Sequence, residues 1–129
     1  MARRTVSDGS SFEQLGGYAR AVRIGSHVAV SGTAAMSDGV VLHPGETYAQ
    51  TRDALVRALA AAAELGATPA DVIRTRLLLA DGCDWHGAVR AHGEVFAGID
   101  PANTTYFVAG FIPEGVVVEV ELDAIVEGG

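Results

Sequence analysis

The chain has 129 residues, 49% hydrophobic and 19% charged, enough to bury one core and too apolar for a disordered segment. Nine basic against sixteen acidic residues leave a net charge of −7, which opposes nucleic acid as a partner because phosphate neutralisation supplies most of such affinity. No apolar run approaches the ~20 residues of a membrane span, no apolar stretch follows the arginines of MARRTVSDGSSFEQLGG, and Cys83 is the only cysteine, so a cytoplasmic protein without membrane contact or disulfide is expected.

Residues 1–15 are polar and carry Ser-Asp-Gly-Ser-Ser, the composition of a flexible arm ahead of a single domain over 16–127. YARAVRI at 18–24 and HVAVS at 27–31 flank Gly25-Ser26, which predicts a hairpin. A second turn signal, Asp38-Gly39, lies between MS and VVL. GETYAQTRDALVRALAAAAELGA then reads as an amphipathic helix. Tyr48, Thr51, Leu55, Leu59 and Ala62 form its stripe, and Gly66 is its stop. VIRTRLLLA at 72–80 is a strand. Asp84 is a plausible N-cap for a second helix, WHGAVRAHGEVFAG, in which Trp85, Ala88 or Val89, His92 and Val95 or Phe96 recur at helical spacing. TTYFVAGF and residues 116–126 are two further strands. This order predicts one α/β sandwich, with two helices over one face of a sheet.

Side chains alternate along a strand, so each strand divides by parity. Val116, Val118, Val120 and Leu122 belong under the helices, whereas Val117, Glu119, Glu121 and Asp123 face away. In 72–79, Ile73, Thr75, Leu77 and Leu79 make one face and Val72, Arg74, Arg76 and Leu78 the other. A half-apolar outer face with carboxylates opposite arginines suits a subunit interface, and a homo-oligomer that buries it is expected.

Taken in order over nearly the whole chain, GGYARAVRIGSHVAVSGT, ELGATPADVIRTRLLLAD, AVRAHGEVF, DPANTT and VVVEVELDAI resemble the RidA/YjgF superfamily. The resemblance implies a chorismate-mutase-like α+β subunit, a mixed sheet with two helices on one face, assembled as a homotrimer with its sheets inward. Three equivalent clefts would lie between neighbouring subunits. The best-known members hydrolyse reactive enamines and imines such as 2-aminoacrylate to 2-oxo acids and ammonia, without a cofactor. The expected function is binding of a small metabolite, a carboxylate or imine, with deaminase-like or related small-molecule chemistry. A non-enzymatic metabolite-binding trimer is the alternative. Nuclease action or translation inhibition, also attributed to the family, is opposed by the net charge.

The same resemblance nominates residues. Glu119 matches the glutamate of the last strand that holds the hydrolytic water; pairing with Arg74 or Arg76 is its other reading. Tyr18 matches a tyrosine near the cleft, though Gly16-Gly17 stands where Gly-Pro is usual. Ser31 and Gly32 match the serine-glycine of the second strand, and Thr104 and Thr105 the small hydroxyl residues of the penultimate one. Active deaminases carry an arginine after Pro-Ala to grip a substrate carboxylate. Here that position is Asn103, which hydrogen-bonds without bringing charge, and Val89 stands where many have asparagine.

Three readings rest on the residues themselves. Phe107 shares parity with Asn103 and Thr105 and fits a pocket wall or plain interface packing. Arg76 is a displaced substrate clamp or, more often for such a residue, half of an interface ion pair. Arg20 and Arg23 lie on opposite faces of their strand, so only one can approach the cleft, and exposure is the default for both. His86 and His92 are six apart, His27 and His43 are scattered, and no metal site is expected. Cys83 has no cation beside it in sequence and reads as inert.

Overall fold

The computed structural model describes residues 2–128. In chain order these form β1 (Arg3–Val6), α1 (Ser11–Gly16), β2 (Ala21–Ile24), β3 (His27–Thr33), β4 (Met36–Ser37) and β5 (Val40–Val41). Then follow α2 (Thr47–Glu64), β6 (Val72–Ala80), α3 (Trp85–Phe96), β7 (Ala102–Val108) and β8 (Val118–Ile125). Six strands make one sheet in the order β1-β2-β3-β8-β6-β7. Every neighbouring pair is antiparallel except β6 and β7, whose parallel pairing uses α3 as the crossover. The fold is a mixed-sheet α+β architecture. β4 and β5 form a separate small hairpin, turned by Asp38 and Gly39 at φ 51 and 76.

α2 and α3 cover one face of the sheet and close the core there. Leu55, Ala58, Leu77, Leu79, Phe96, Val118, Val120 and Leu122 are among its buried members. Each fully buried Leu, Val or Phe side chain contributes about 1.5–3 kcal/mol. The alternation predicted for β8 is observed, with Val118, Val120, Leu122 and Ala124 buried and Glu119, Glu121 and Asp123 half-exposed. The buried stripe of α2 is rotated from the predicted one. It runs through Thr47, Gln50, Thr51, Ala54, Leu55, Ala58, Ala61 and Ala62, and Tyr48 and Leu59 sit at its edge. Alanines under the helix, not large residues, set this closely packed face. In α3 the buried set is Gly87, Ala88, Ala91 and Phe96, while Trp85 and Val89 are exposed. Asp84 caps α3 by accepting from the Gly87 amide at 3.2 Å.

Three expectations are corrected. First, residues 1–15 carry β1 and α1 (Met1 lies outside the described residues). β1 pairs with β2 along its length, and Ser10 caps α1 by accepting from the Glu13 amide. Second, the register with β8 shifts between Val72 and Arg74, which exchanges the faces of the first two residues of β6. Val72 is 3% exposed and Ile73 49%. Third, Arg23 is buried. Its Nη1 donates to the Leu65 carbonyl at 2.7 Å and its Nε to the Gly25 carbonyl at 2.8 Å, so this cation caps the negative end of α2.

Candidate functional site

A groove lined, among others, by Tyr18, Arg20, Gly32, Leu78, Val108 and Glu119 opens on the sheet face away from α2 and α3 and extends round to Arg57 and Ala60 of α2. Glu119 is carried there by the outward parity of β8. Among the described residues its carboxylate makes no hydrogen bond and no ion pair, so neither Arg74 nor Arg76 satisfies it. Arg76 pairs with Glu121 at 3.4 Å, and Arg74 donates to Thr104 Oγ1 at 3.2 Å. Burial pushes the Glu119 pKa up; the charge of Arg20 pulls against this and that of Glu121 adds to it. Gly32 makes room for the group, because a Cβ at that position would lie 2.6 Å from Glu119 Oε1. The irregular register of β3 against β8 between Val30 and Thr33 falls at this point.

The segment leading into β2 forms the adjoining wall. α1 ends at Gly17 with φ 70, a left-handed value that proline cannot adopt. That explains why Gly16-Gly17 stands where the resemblance calls for Gly-Pro. A Cβ on Gly16 would meet the Tyr18 ring at 2.9 Å, so both glycines serve the placement of Tyr18. Ser31 Oγ donates to the Ala19 carbonyl at 2.7 Å, and its amide to the Arg20 carbonyl at 3.0 Å. Ser31 therefore fixes the Tyr18–Arg20 backbone and is not itself among the groove residues. Arg20 lies 5.9 Å from the Tyr18 ring centroid and 3.9 Å from Glu13 Oε2. The buried Glu13 carboxylate already accepts from Ser7 Oγ at 2.6 Å and from the Asp8 amide at 3.3 Å.

Asn103, Thr105 and Phe107 are not brought to this groove within one chain. Asn103 is registered opposite Thr75, on the helix-bearing side of the sheet, and β6 separates β7 from β8. Its Nδ2 donates to Thr75 Oγ1 at 3.0 Å, and its Oδ1 accepts from Thr105 Oγ1 at 2.9 Å. Thr75 is fully buried and also meets His92 Nε2 at 2.7 Å; burial holds the His92 pKa below its ordinary value. This chain from α3 to the edge strand ties Asn103 to its own core. Thr75→Val removes the hydroxyl shared by His92 and Asn103 and is expected to cost about 1–3 kcal/mol. Urea titration should show a lower midpoint at unchanged slope. Phe107, at 48% exposure, and Tyr106 stand on the same edge strand.

Of the two arginines of which only one can approach the cleft, Arg20 is the one in the groove, and Gln50 is a residue that the sequence did not single out. Arg20 shares a face with Glu119, and strand alternation alone carries that signal. Gln50, fully buried in α2, lies four residues before the buried Ala54. Elsewhere, a more open depression holds Cys83 beside Thr47 and Asp84, and burial raises the pKa of its thiol. Among the described residues no three His, Cys, Asp or Glu are grouped to hold a metal ion, and no helix is long and apolar enough to cross a membrane.

A mixed sheet with its helices on one face and a carboxylate groove on the other defines a YjgF-type α+β protein. The chain belongs to the family described as endoribonuclease L-PSP, which matches residues 9–126, and so to the RidA/YjgF superfamily. A Mycobacterium tuberculosis structure, described as a member of the highly conserved YjgF/YER057c/UK114 family, is 42% identical with a TM-score of 0.86. The match covers 97% of this chain and 100% of that one. A Streptomyces coelicolor relative described as an uncharacterised protein is 42% identical over 123 residues, 95% of this chain and 92% of its own. The 2-iminobutanoate/2-iminopropanoate deaminase of Rattus norvegicus is 29% identical over 125 residues, 95% of this chain and 90% of its own.

Proposed function

We propose that this protein is a homotrimer that binds small imines or enamines in clefts between its subunits and hydrolyses them to a carbonyl compound and ammonia. The observation that carries the reading is Glu119: a half-buried carboxylate without a partner among the described residues, facing a groove beside Tyr18 and Arg20. A desolvated, unpaired carboxylate with a raised pKa is suited to general-base work. Glu119 takes a proton from water as the oxygen adds to the imine carbon. The proton returns to nitrogen, and the carbinolamine collapses to the carbonyl with loss of ammonia. The deaminase name of the rat relative supports the same chemistry. Association of outer sheet faces is supported by half-buried Leu78 and Val108 and by exposed Tyr106 on the open edge strand β7. In this assembly the α2 end of the groove, at Arg57 and Ala60, is open to the edge of a neighbour's β7, which carries Asn103, Thr105 and Phe107 on its helix side.

The nuclease named in the family description fits this chain poorly, because a net charge of −7 repels phosphate. One observation favours a second reading, a metabolite-binding trimer without turnover: Asn103 is uncharged and already engaged by Thr75 and Thr105. The two separate in one assay. Wild-type protein added to 2-iminobutanoate generated in situ should release ammonia well above the spontaneous rate. Saturable binding with only the spontaneous rate would replace hydrolysis with the second reading. Gly32→Ala should lower the catalysed rate by about 10²-fold with folding retained, since its Cβ displaces Glu119 Oε1. Steady-state rates and circular dichroism on one preparation check this.

A further inference from the structure

The groove has two arginines in its lining, Arg20 and Arg57. Arg57 is committed, its Nε donating to Asp53 at 2.7 Å. The arginines elsewhere on β2 and β6 are also engaged: Arg23 with backbone carbonyls, Arg74 with Thr104 and Arg76 with Glu121. Arg20 alone among these has a side chain that makes no hydrogen bond within the described residues. Its Nε is buried without a partner, and its nearest carboxylate, on Glu13, stands at 3.9 Å and is held by Ser7 and Asp8. The Arg20 side chain is 20% exposed and packed beside the Tyr18 ring, and its charge favours the ionised form of Glu119.

Arg20 Nε faces inward toward Glu13 and is closed to a ligand, whereas the Nη groups are neither hydrogen-bonded among the described residues nor buried and are the donors a ligand in the groove can take. Planar, fork-shaped donors match a carboxylate bidentately. We infer that Arg20 is the anion anchor of the groove, holding the carboxylate of a small 2-imino or 2-oxo acid while the adjoining carbon faces Glu119. This rests on the proposed small-molecule site and assigns its specificity to the subunit that carries Glu119, not to position 103. The ligand's charged end then lies against Tyr18 and β2, and the neighbour's Asn103 is left to contact its uncharged remainder.

The test uses 2-oxobutyrate, a stable carboxylate, and 2-butanone, its uncharged counterpart, titrated calorimetrically into wild type, Arg20→Gln, Arg20→Lys and a distant control, Arg52→Gln. Wild type and the control should bind 2-oxobutyrate alike and 2-butanone far more weakly. Arg20→Gln should weaken 2-oxobutyrate by about 10- to 100-fold, and Arg20→Lys by less, because the charge remains without the fork. In wild-type protein the Arg20 Nε–H signal in a nitrogen–proton spectrum should shift saturably with 2-oxobutyrate, a readout that does not depend on any variant folding. Equal affinity in Arg20→Gln, an unmoved Arg20 signal, or no binding of 2-oxobutyrate by wild type each overturns the assignment. If ammonia release from imines persists in any of those cases, hydrolysis at Glu119 stands and only the anchor is wrong.

Discussion

Replacing Glu119 by glutamine is expected to slow ammonia release from a small imine by about 10²–10⁴-fold, the usual contribution of a positioned acid–base group. Glutamine keeps the shape beside Gly32 and removes only the ability to accept a proton, so ligand affinity should change little. The pH profile sharpens the point. Glu119 must be ionised to act, and burial raises its pKa above the ordinary glutamate value of 4.5. Activity should therefore fall as pH falls, with the midpoint of that limb above 4.5, and the limb should be absent from the residual rate of Glu119→Gln. Rates over an acid-to-neutral series for both proteins check sign and size together.

The largest expected loss of stability lies elsewhere, at Gln50. Its Nε2 donates to the carbonyls of Leu42, His43 and Gly115 at 3.1, 3.0 and 2.8 Å, and its Oε1 accepts from the Val117 amide at 2.9 Å. One fully buried amide thus joins the loop after β5, the body of α2 and the approach to β8. Gln50→Leu fits the volume but leaves the Val117 amide and the Leu42 carbonyl without a partner, whereas the His43 and Gly115 carbonyls keep the amides of Glu46 and Gly45. Each buried orphan costs about 1–3 kcal/mol, partly relieved by water, so a loss of about 2–5 kcal/mol is expected. Denaturant unfolding measures it, with Ala60→Ser on the exposed side of α2 as a near-neutral comparison.

The elements that periodicity reveals were legible: β6 begins and ends where VIRTRLLLA does, β8 alternates as its parity requires, and Asp84 caps α3. What escaped depends on contacts that no local pattern encodes. The exchange of Val72 and Ile73 arises from a register shift against β8, a partner far along the chain. The burial of Arg23 follows from the end of α2 lying over it, with the Leu65 carbonyl as acceptor. α1 was hidden by the polar stretch around it, although Ser10 at its start and Gly17 at its end are ordinary cap residues. The candidate site was legible as a list and not as a place. Tyr18, Gly32 and Glu119 meet in one groove, whereas Asn103, Thr105 and Phe107 ride the far edge strand on the opposite face. Ser31 proves to brace the backbone, and Arg76 to pair with Glu121.

The most direct test is a crystal structure of the protein soaked with 2-oxobutyrate. The ligand should appear on the sheet face away from α2 and α3, with its keto carbon toward Glu119 and its carboxylate within hydrogen-bond reach of Arg20. Density confined to the helix side of β7 around Asn103, with the groove beside Glu119 filled by solvent alone, would contradict the account.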